Sequence, residues 1–158
     1  MRKGRNILIA SIAALALSLT ACDKNRVFEE NTPIADHAWD TAQVVRFEVN
    51  IEDTVSPHNF FVNVRNGDAY RYSNLYLFIN TIFPDGRRSH DTLECILADD
   101  RGRWLGEGIG DLYSSQILFK KNVRFPLSGT YKFEFMQGMR EDRLPMITDI
   151  GMRIEKQE

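Results

Sequence analysis

The run Gly106-Glu107-Gly108-Ile109-Gly110 has the spacing of a loop that could cradle a phosphate. It lacks the Lys-Ser/Thr pair of a P-loop and no helical pattern follows it, so nucleotide binding is not indicated. On a strand these glycines leave one face bare, which lets another backbone or an aromatic ring approach closely. His37, His58 and His90 are far apart in sequence and match no metal-ligand spacing. Asp99, Asp100 and Asp111 could meet across a 99–111 hairpin and offer oxygens to calcium. Turn aspartates ordinarily bond their own backbone instead. Ser114 and Ser115 have no G-x-S-x-G context, so no nucleophile elbow is encoded there. No acid, base and nucleophile stand together, and the expectation is a protein without catalytic residues, metal or cofactor.

Two surface features remain. Lys120, Lys121 and Arg124 place three cations within five residues, beside Ile117 and Phe119. They read either as a solvated strand face or as a contact for an acidic protein partner. Trp104 and Tyr113, with Tyr70, Tyr72 and Tyr76, could form a stacking platform for a sugar, or could serve as core. The formal charge of the 158-residue chain is −2, which excludes a strongly basic nucleic-acid binder. Hydrophobic residues at 43% and charged residues at 27% exclude a disordered chain.

The N-terminus carries an address. Arg2, Lys3 and Arg5 precede the run Ile7 to Leu19, which is broken only by Ser11 and Ser18. A membrane-spanning helix needs about 20 apolar residues, so this shorter run fits the h-region of a secretory signal. It ends in Leu19-Thr20-Ala21-Cys22, which resembles a bacterial lipobox. The resemblance implies cleavage between Ala21 and Cys22, a lipidated Cys22 as the new first residue, and a diacylglycerol thioether with an acylated amine. Each buried methylene contributes about 0.8 kcal/mol, and two lipid signals suffice for stable anchoring, so three acyl chains hold the protein at a membrane. Cleavage takes three basic and no acidic side chains from the totals of 20 and 22, leaving a mature net charge of −5. Cys95 is then the only thiol not used by the anchor. Its phase with Leu93 and Leu97 places it on a buried strand face, where a thiol is inert.

These side chains must be positioned by strands. Residues 22–40 read as a lipidated N-terminus and tether, polar at Asp23-Lys24-Asn25-Arg26 and interrupted by Pro33, with Val27, Phe28 and Trp39 docking in places. From Gln43 the apolar period becomes two: Val45, Phe47, Val49 and Ile51, then Phe60, Val62 and Val64 ending at Asn66-Gly67. Leu75, Leu77 and Ile79 run into a Pro84-Asp85-Gly86 turn, and Thr92 to Ala98 returns as the hairpin partner. Asp100-Arg101-Gly102 turns into Trp104 to Ile109, and residues 111–116 suit one helical turn. Gln116 to Phe125 is extended. Ser128-Gly129 turns into Tyr131, Phe133 and Phe135, and Ile150, Met152 and Ile154 mark the last strand. The expectation is an all-β chain, a single antiparallel β-sandwich of about eight strands over 41–158, after a signal peptide at 1–21.

The middle of the chain carries the blocks Phe83-Pro84-Asp85-Gly86, Asp91-Thr92-Leu93-Glu94-Cys95 and Gly102-Arg103-Trp104-Leu105-Gly106. Gly108-Ile109-Gly110-Asp111, Gln116-Ile117-Leu118, the 120–126 block Lys-Lys-Asn-Val-Arg-Phe-Pro, Gly129-Thr130-Tyr131 and the 149–155 strand follow. In these blocks the chain resembles the gliding-motility lipoproteins of the GldH type found in Bacteroidetes. The resemblance implies a non-enzymatic, membrane-anchored structural or assembly component of the motility and secretion machinery in the cell envelope, with envelope proteins as partners. The outer membrane or periplasmic face is the favoured site. Of functional positions it transfers only Cys22. The alternative reading is an envelope lipoprotein that binds carbohydrate or peptide through the Trp104 face.

Overall fold

The computed structural model describes residues 23–157. Eleven strands and one short 3₁₀ turn make up the regular structure of these residues. In chain order the strands are β1 (Arg26–Pro33), β2 (Ala38–Asp40), β3 (Val45–Ile51), β4 (His58–Gly67), β5 (Asn74–Ile82) and β6 (Arg88–Ile96). They continue as β7 (Glu107–Ile109), β8 (Leu112–Val123), β9 (Gly129–Gln137), β10 (Arg143–Pro145) and β11 (Ile147–Lys156). A five-stranded sheet has the order β1-β11-β4-β8-β7, and a four-stranded sheet the order β3-β9-β5-β6. β10 and β2 form a small third sheet. Every pairing is antiparallel.

The period-two reading holds where it was strongest. β3 alternates buried and exposed along its whole length, burying Val45, Phe47, Val49 and Ile51. Leu75, Leu77 and Ile79 of β5 and Tyr131, Phe133 and Phe135 of β9 join them from the same sheet. Phe60, Val62 and Val64 of β4 face Ile150, Met152 and Ile154 of β11 across the other. Ring pairs bridge the layers, Phe60 on Phe133 at 5.6 Å and Phe28 on Phe47 at 6.2 Å. Pro84-Asp85-Gly86 makes its turn with Gly86 at φ +85°, a backbone state that glycine adopts without steric cost. Cys95 is fully buried, and burial pushes its thiol up to about 12.

Several expectations are corrected. The strand count is eleven instead of eight, because short strands at the sheet edges have no apolar alternation to announce them. The stretch read as a tether belongs to the fold from Arg26: β1 pairs with β11 from Arg26↔Glu155 to Pro33↔Asp149. Ile34 and Trp39 are buried, and the Trp39 indole N–H donates to the Gln43 carbonyl at 2.9 Å. The sandwich therefore begins before residue 41. The turn expected at Asn66-Gly67 falls one step later, over Asp68-Ala69, because Gly67 still pairs with Leu112. Residues 111–116 form no helical turn. Gly110 at φ +60° and Asp111 make a two-residue hairpin loop between β7 and β8, which suits a turn with glycine first.

Candidate functional site

Ala21 and Cys22, the expected cleavage and lipidation positions, lie outside the described residues. The next residue, Asp23, is tied to the domain. Its carboxylate pairs with Arg153, whose guanidinium also meets Glu29 at 2.8 Å and Glu155 at 3.0 Å. The hydrogen bond from Arg153 holds the Asp23 carboxyl below the usual carboxylate range. The three carboxylates raise the guanidinium above its ordinary value. This network escaped the sequence reading, because Asp23 and Glu29 stood in a presumed tether. Its one local trace is the Arg153-x-Glu155 spacing on an outward strand face.

The cations Lys120, Lys121 and Arg124 lie at the far end of β8 and just beyond it. Lys120 Nζ sits 2.7 Å from Asp91 Oδ2 on β6, joining the two main sheets, and 4.9 Å from the Phe119 ring centre. Arg124 Nε donates to the Val55 carbonyl at 3.0 Å. Lys121 is exposed and makes no ion pair among the described residues. The cluster is therefore not uniform: one cation is a structural tie and two face outward. Beside it opens a cavity of 240 Å³ between the sheets, walled by Phe60, Phe83, Phe119, Phe125 and Tyr131, with Lys120 and Arg124 at its lining. Its rings pack on one another, Phe125 on Tyr131 at 4.9 Å and Phe83 on Tyr131 at 5.4 Å. An apolar group entering it would leave a neighbouring anion within reach of the cations. The cluster is also linked to the start of the described chain. The Asn25 carbonyl accepts from the Lys156 N–H, Lys156 Nζ pairs with Asp53 at 2.7 Å, and Asp53 organises the loop that holds Arg124 through Val55.

Trp104 and Tyr113 do come together, with ring centres 5.6 Å apart. Trp104 also lies 6.3 Å from Tyr70, and both Trp104 and Tyr113 are half-buried. The aromatic group spends its faces on itself and packs on the core. The bare glycine face does what its composition suggests: a Cβ on Gly108 would lie 3.0 Å from the Tyr113 ring, and one on Gly106 would lie 2.6 Å from the Ser114 carbonyl oxygen.

Asp99 is consumed by its own turn. Its carboxylate accepts from the Arg101 and Arg103 N–H groups, both at 2.9 Å, and pairs with the Arg103 side chain. His37, His58 and His90 lie on separate elements, and no group of three metal-ligating side chains converges among the described residues. Ser114 Oγ accepts from Arg65 Nε at 3.1 Å, a contact that orients the arginine on the sheet face.

A family model described as GldH lipoprotein matches residues 26–154. The chain is 38% identical over 165 residues to a protein of Christiangramia forsetii named gliding motility lipoprotein GldH homolog, covering 100% of this chain and 99% of the relative. It is 35% identical over 150 residues to the gliding motility lipoprotein GldH of Flavobacterium johnsoniae, covering 90% of this chain and 92% of the relative. Among solved structures, the infectious bursal disease virus VP2 subviral particle aligns at 18% identity and a TM-score of 0.39, covering 85% of this chain and 33% of that one.

Proposed function

This chain belongs to the GldH lipoprotein family, and from that premise we propose that it is a lipid-anchored, non-enzymatic docking component of the gliding-motility machinery. Cys22 carries the lipid after cleavage behind Ala21. The domain then stands directly at the membrane, since β1 begins only four residues after Cys22 and Asp23 is paired to Arg153. The outer membrane or the periplasmic face is the proposed site. The proposed partners are envelope proteins of the motility and secretion apparatus.

One observation carries the docking reading: Lys120 and Arg124 line an apolar cavity between the sheets, and the exposed Lys121 follows Lys120 directly in the chain. Interfaces of this kind gain affinity from an apolar anchor in a pocket, while rim charges steer encounter and select the partner. The partner segment offers an apolar side chain next to acidic ones. Lys120 is left out of the test, because reversing it would set two carboxylates face to face at Asp91.

The test is crosslinking in intact envelopes with the Lys121→Glu/Arg124→Glu variant, at two salt concentrations, with thermal melting as control. Exposed charges contribute little stability, so melting should change little. Partner capture should fall, and the salt dependence should shrink. Unchanged capture overturns the assignment. So does a loss seen equally with anionic lipid vesicles and no protein partner, which would make the cluster a membrane contact.

A further inference from the structure

β8 is an open edge over part of its length. β7 pairs only with Leu112–Ser114, so from Ser115 onward the side of β8 turned away from β4 has no strand partner among the described residues. Backbone parity identifies which groups point there. The Arg65 carbonyl accepts from Thr148 and the Gly67 N–H donates to Met146, so the odd residues of β4 face β11. Val62 and Val64 therefore face β8, where their partners are Ile117 and Ser115. Ser114, Gln116 and Leu118 must then turn their N–H and C=O groups to the other side. The Ser114 carbonyl oxygen indeed faces Gly106, the residue just before β7. Gln116 and Leu118 continue that row with no strand opposite them among the described residues.

Both ends of the opening are closed. β7 covers the start, and beyond Leu118 the register with β4 shifts, Asn122 takes φ +58°, and Lys120 and Lys121 follow. Bulges and lysines are common means of deterring strand addition. The Gln116–Leu118 window has neither.

A groove of 730 Å³ runs beside this window. Ile96 and Leu105, 50% and 60% exposed, give it apolar walls. Its carboxylates are Glu29, Glu94, Glu107 and Asp149; Glu29 is paired with Arg26 and Arg153 and Asp149 with Arg65 at 3.5 Å, which leaves Glu94 and Glu107 without ion pairs among the described residues. A free strand edge, an apolar wall and a surplus of carboxylates select one occupant. We propose that the groove binds an extended, basic segment of a partner polypeptide, which adds as a strand to the Gln116–Leu118 edge of β8. Main-chain bonds to Gln116 and Leu118 hold the segment, and its lysine or arginine side chains meet the groove carboxylates.

The site is separate from the Lys121 and Arg124 surface, so the two can fail independently. The experiment uses the lipidated chain in micelles of an uncharged detergent. The probes are a labelled eight-residue peptide alternating lysine with valine, a matched glutamate-valine peptide, and chitotetraose. The lysine peptide should slow amide hydrogen exchange at Gln116 and Leu118 at least tenfold, and the glutamate peptide should not. Gln116→Pro removes the outward N–H at an edge position where proline leaves the β4 ladder intact, and should weaken the lysine peptide at least tenfold. Gln116→Ala keeps that N–H and should bind within threefold of the wild type, as should Lys121→Glu/Arg124→Glu. Absence of protection at Gln116 and Leu118 overturns the proposal. Undiminished binding in a folded Gln116→Pro chain does the same, as does protection by chitotetraose alone, which would make the groove a glycan site. If Gln116→Pro fails to fold, the wild-type exchange pattern decides.

Discussion

Gly151 on β11 lies directly opposite Asn31 on β1, and it leaves the space that the Asn31 side chain fills. A Cβ at 151 would overlap Asn31 Oδ1 and come 2.7 Å from the Glu30 carbonyl oxygen. Because Gly151 has no side chain, Asn63 Nδ2 can reach across it to Asn31 Oδ1 at 3.1 Å, and Gln116 Nε2 extends the row to Asn63 at 3.2 Å. An amide ladder thus crosses four strands of the outer sheet face and ties the N-terminal strand to the rest.

Gly151→Ala should destabilise the fold by about 1–3 kcal/mol, the usual cost of forcing an extra methyl into an occupied space. Asn31→Ala in the same chain should recover part of that loss, since the two residues share the space. Chemical denaturation of the two single variants and the double variant checks this. Strictly additive losses would show that the overlap at Asn31 is not the cause.

A fragment of residues 41–158 should be much less stable than one of residues 23–158. It lacks β1, which exposes one edge of β11, and it lacks Trp39, which is fully buried. In the longer chain Trp39→Ala alone should cost about 3–5 kcal/mol, as for other buried aromatics. Equal melting temperatures for the two fragments would restore the N-terminal segment to a mere tether.

Stability should fall on acidification below pH 6.5. His58 is 1% exposed, its ring lies 5.1 Å from Phe125, and desolvation lowers its pKa below 6.5, with Lys156 adding to the effect and Asp53 opposing it. The unfolded chain then binds a proton that the folded chain refuses, so stability rises with pH through this window and is complete above it. His58→Phe should flatten the change in melting temperature between pH 7.5 and pH 5. The carboxyls that the fold holds below their usual range, such as Asp53 and Asp85, act in a separate window below pH 3.8. An unaltered slope in the variant would clear His58.

Cys22→Ala should abolish lipidation and leave the chain unprocessed or released from the membrane. Labelling cells with a radioactive fatty acid reads the modification directly. Equal label in variant and wild type would place the lipid elsewhere or nowhere.

Some of this protein is written in local sequence. The charged start, apolar run and Leu19-Thr20-Ala21-Cys22 act on machinery that reads an unfolded chain, so no tertiary structure is needed to interpret them. The alternation in β3 and the turns at Pro84-Asp85-Gly86 and Asp100-Arg101-Gly102 follow from side-chain period and backbone restriction within a few residues. Other features depend on partners distant in sequence. β1 shows no alternation because it is an edge strand with little buried surface, and its pairing with β11 spans more than a hundred residues. The three cations near the end of β8 looked equivalent until Asp91 on the opposite sheet took one of them. Trp104 and Tyr113 read equally as a stacking platform or as core until the fold set Tyr70 and the core against Trp104, and Trp104 against Tyr113. The open window at Gln116 and Leu118 exists only because β7 is three residues long while β8 is twelve. A free edge belongs to the sheet and not to the strand, since it is set by which neighbour stops first.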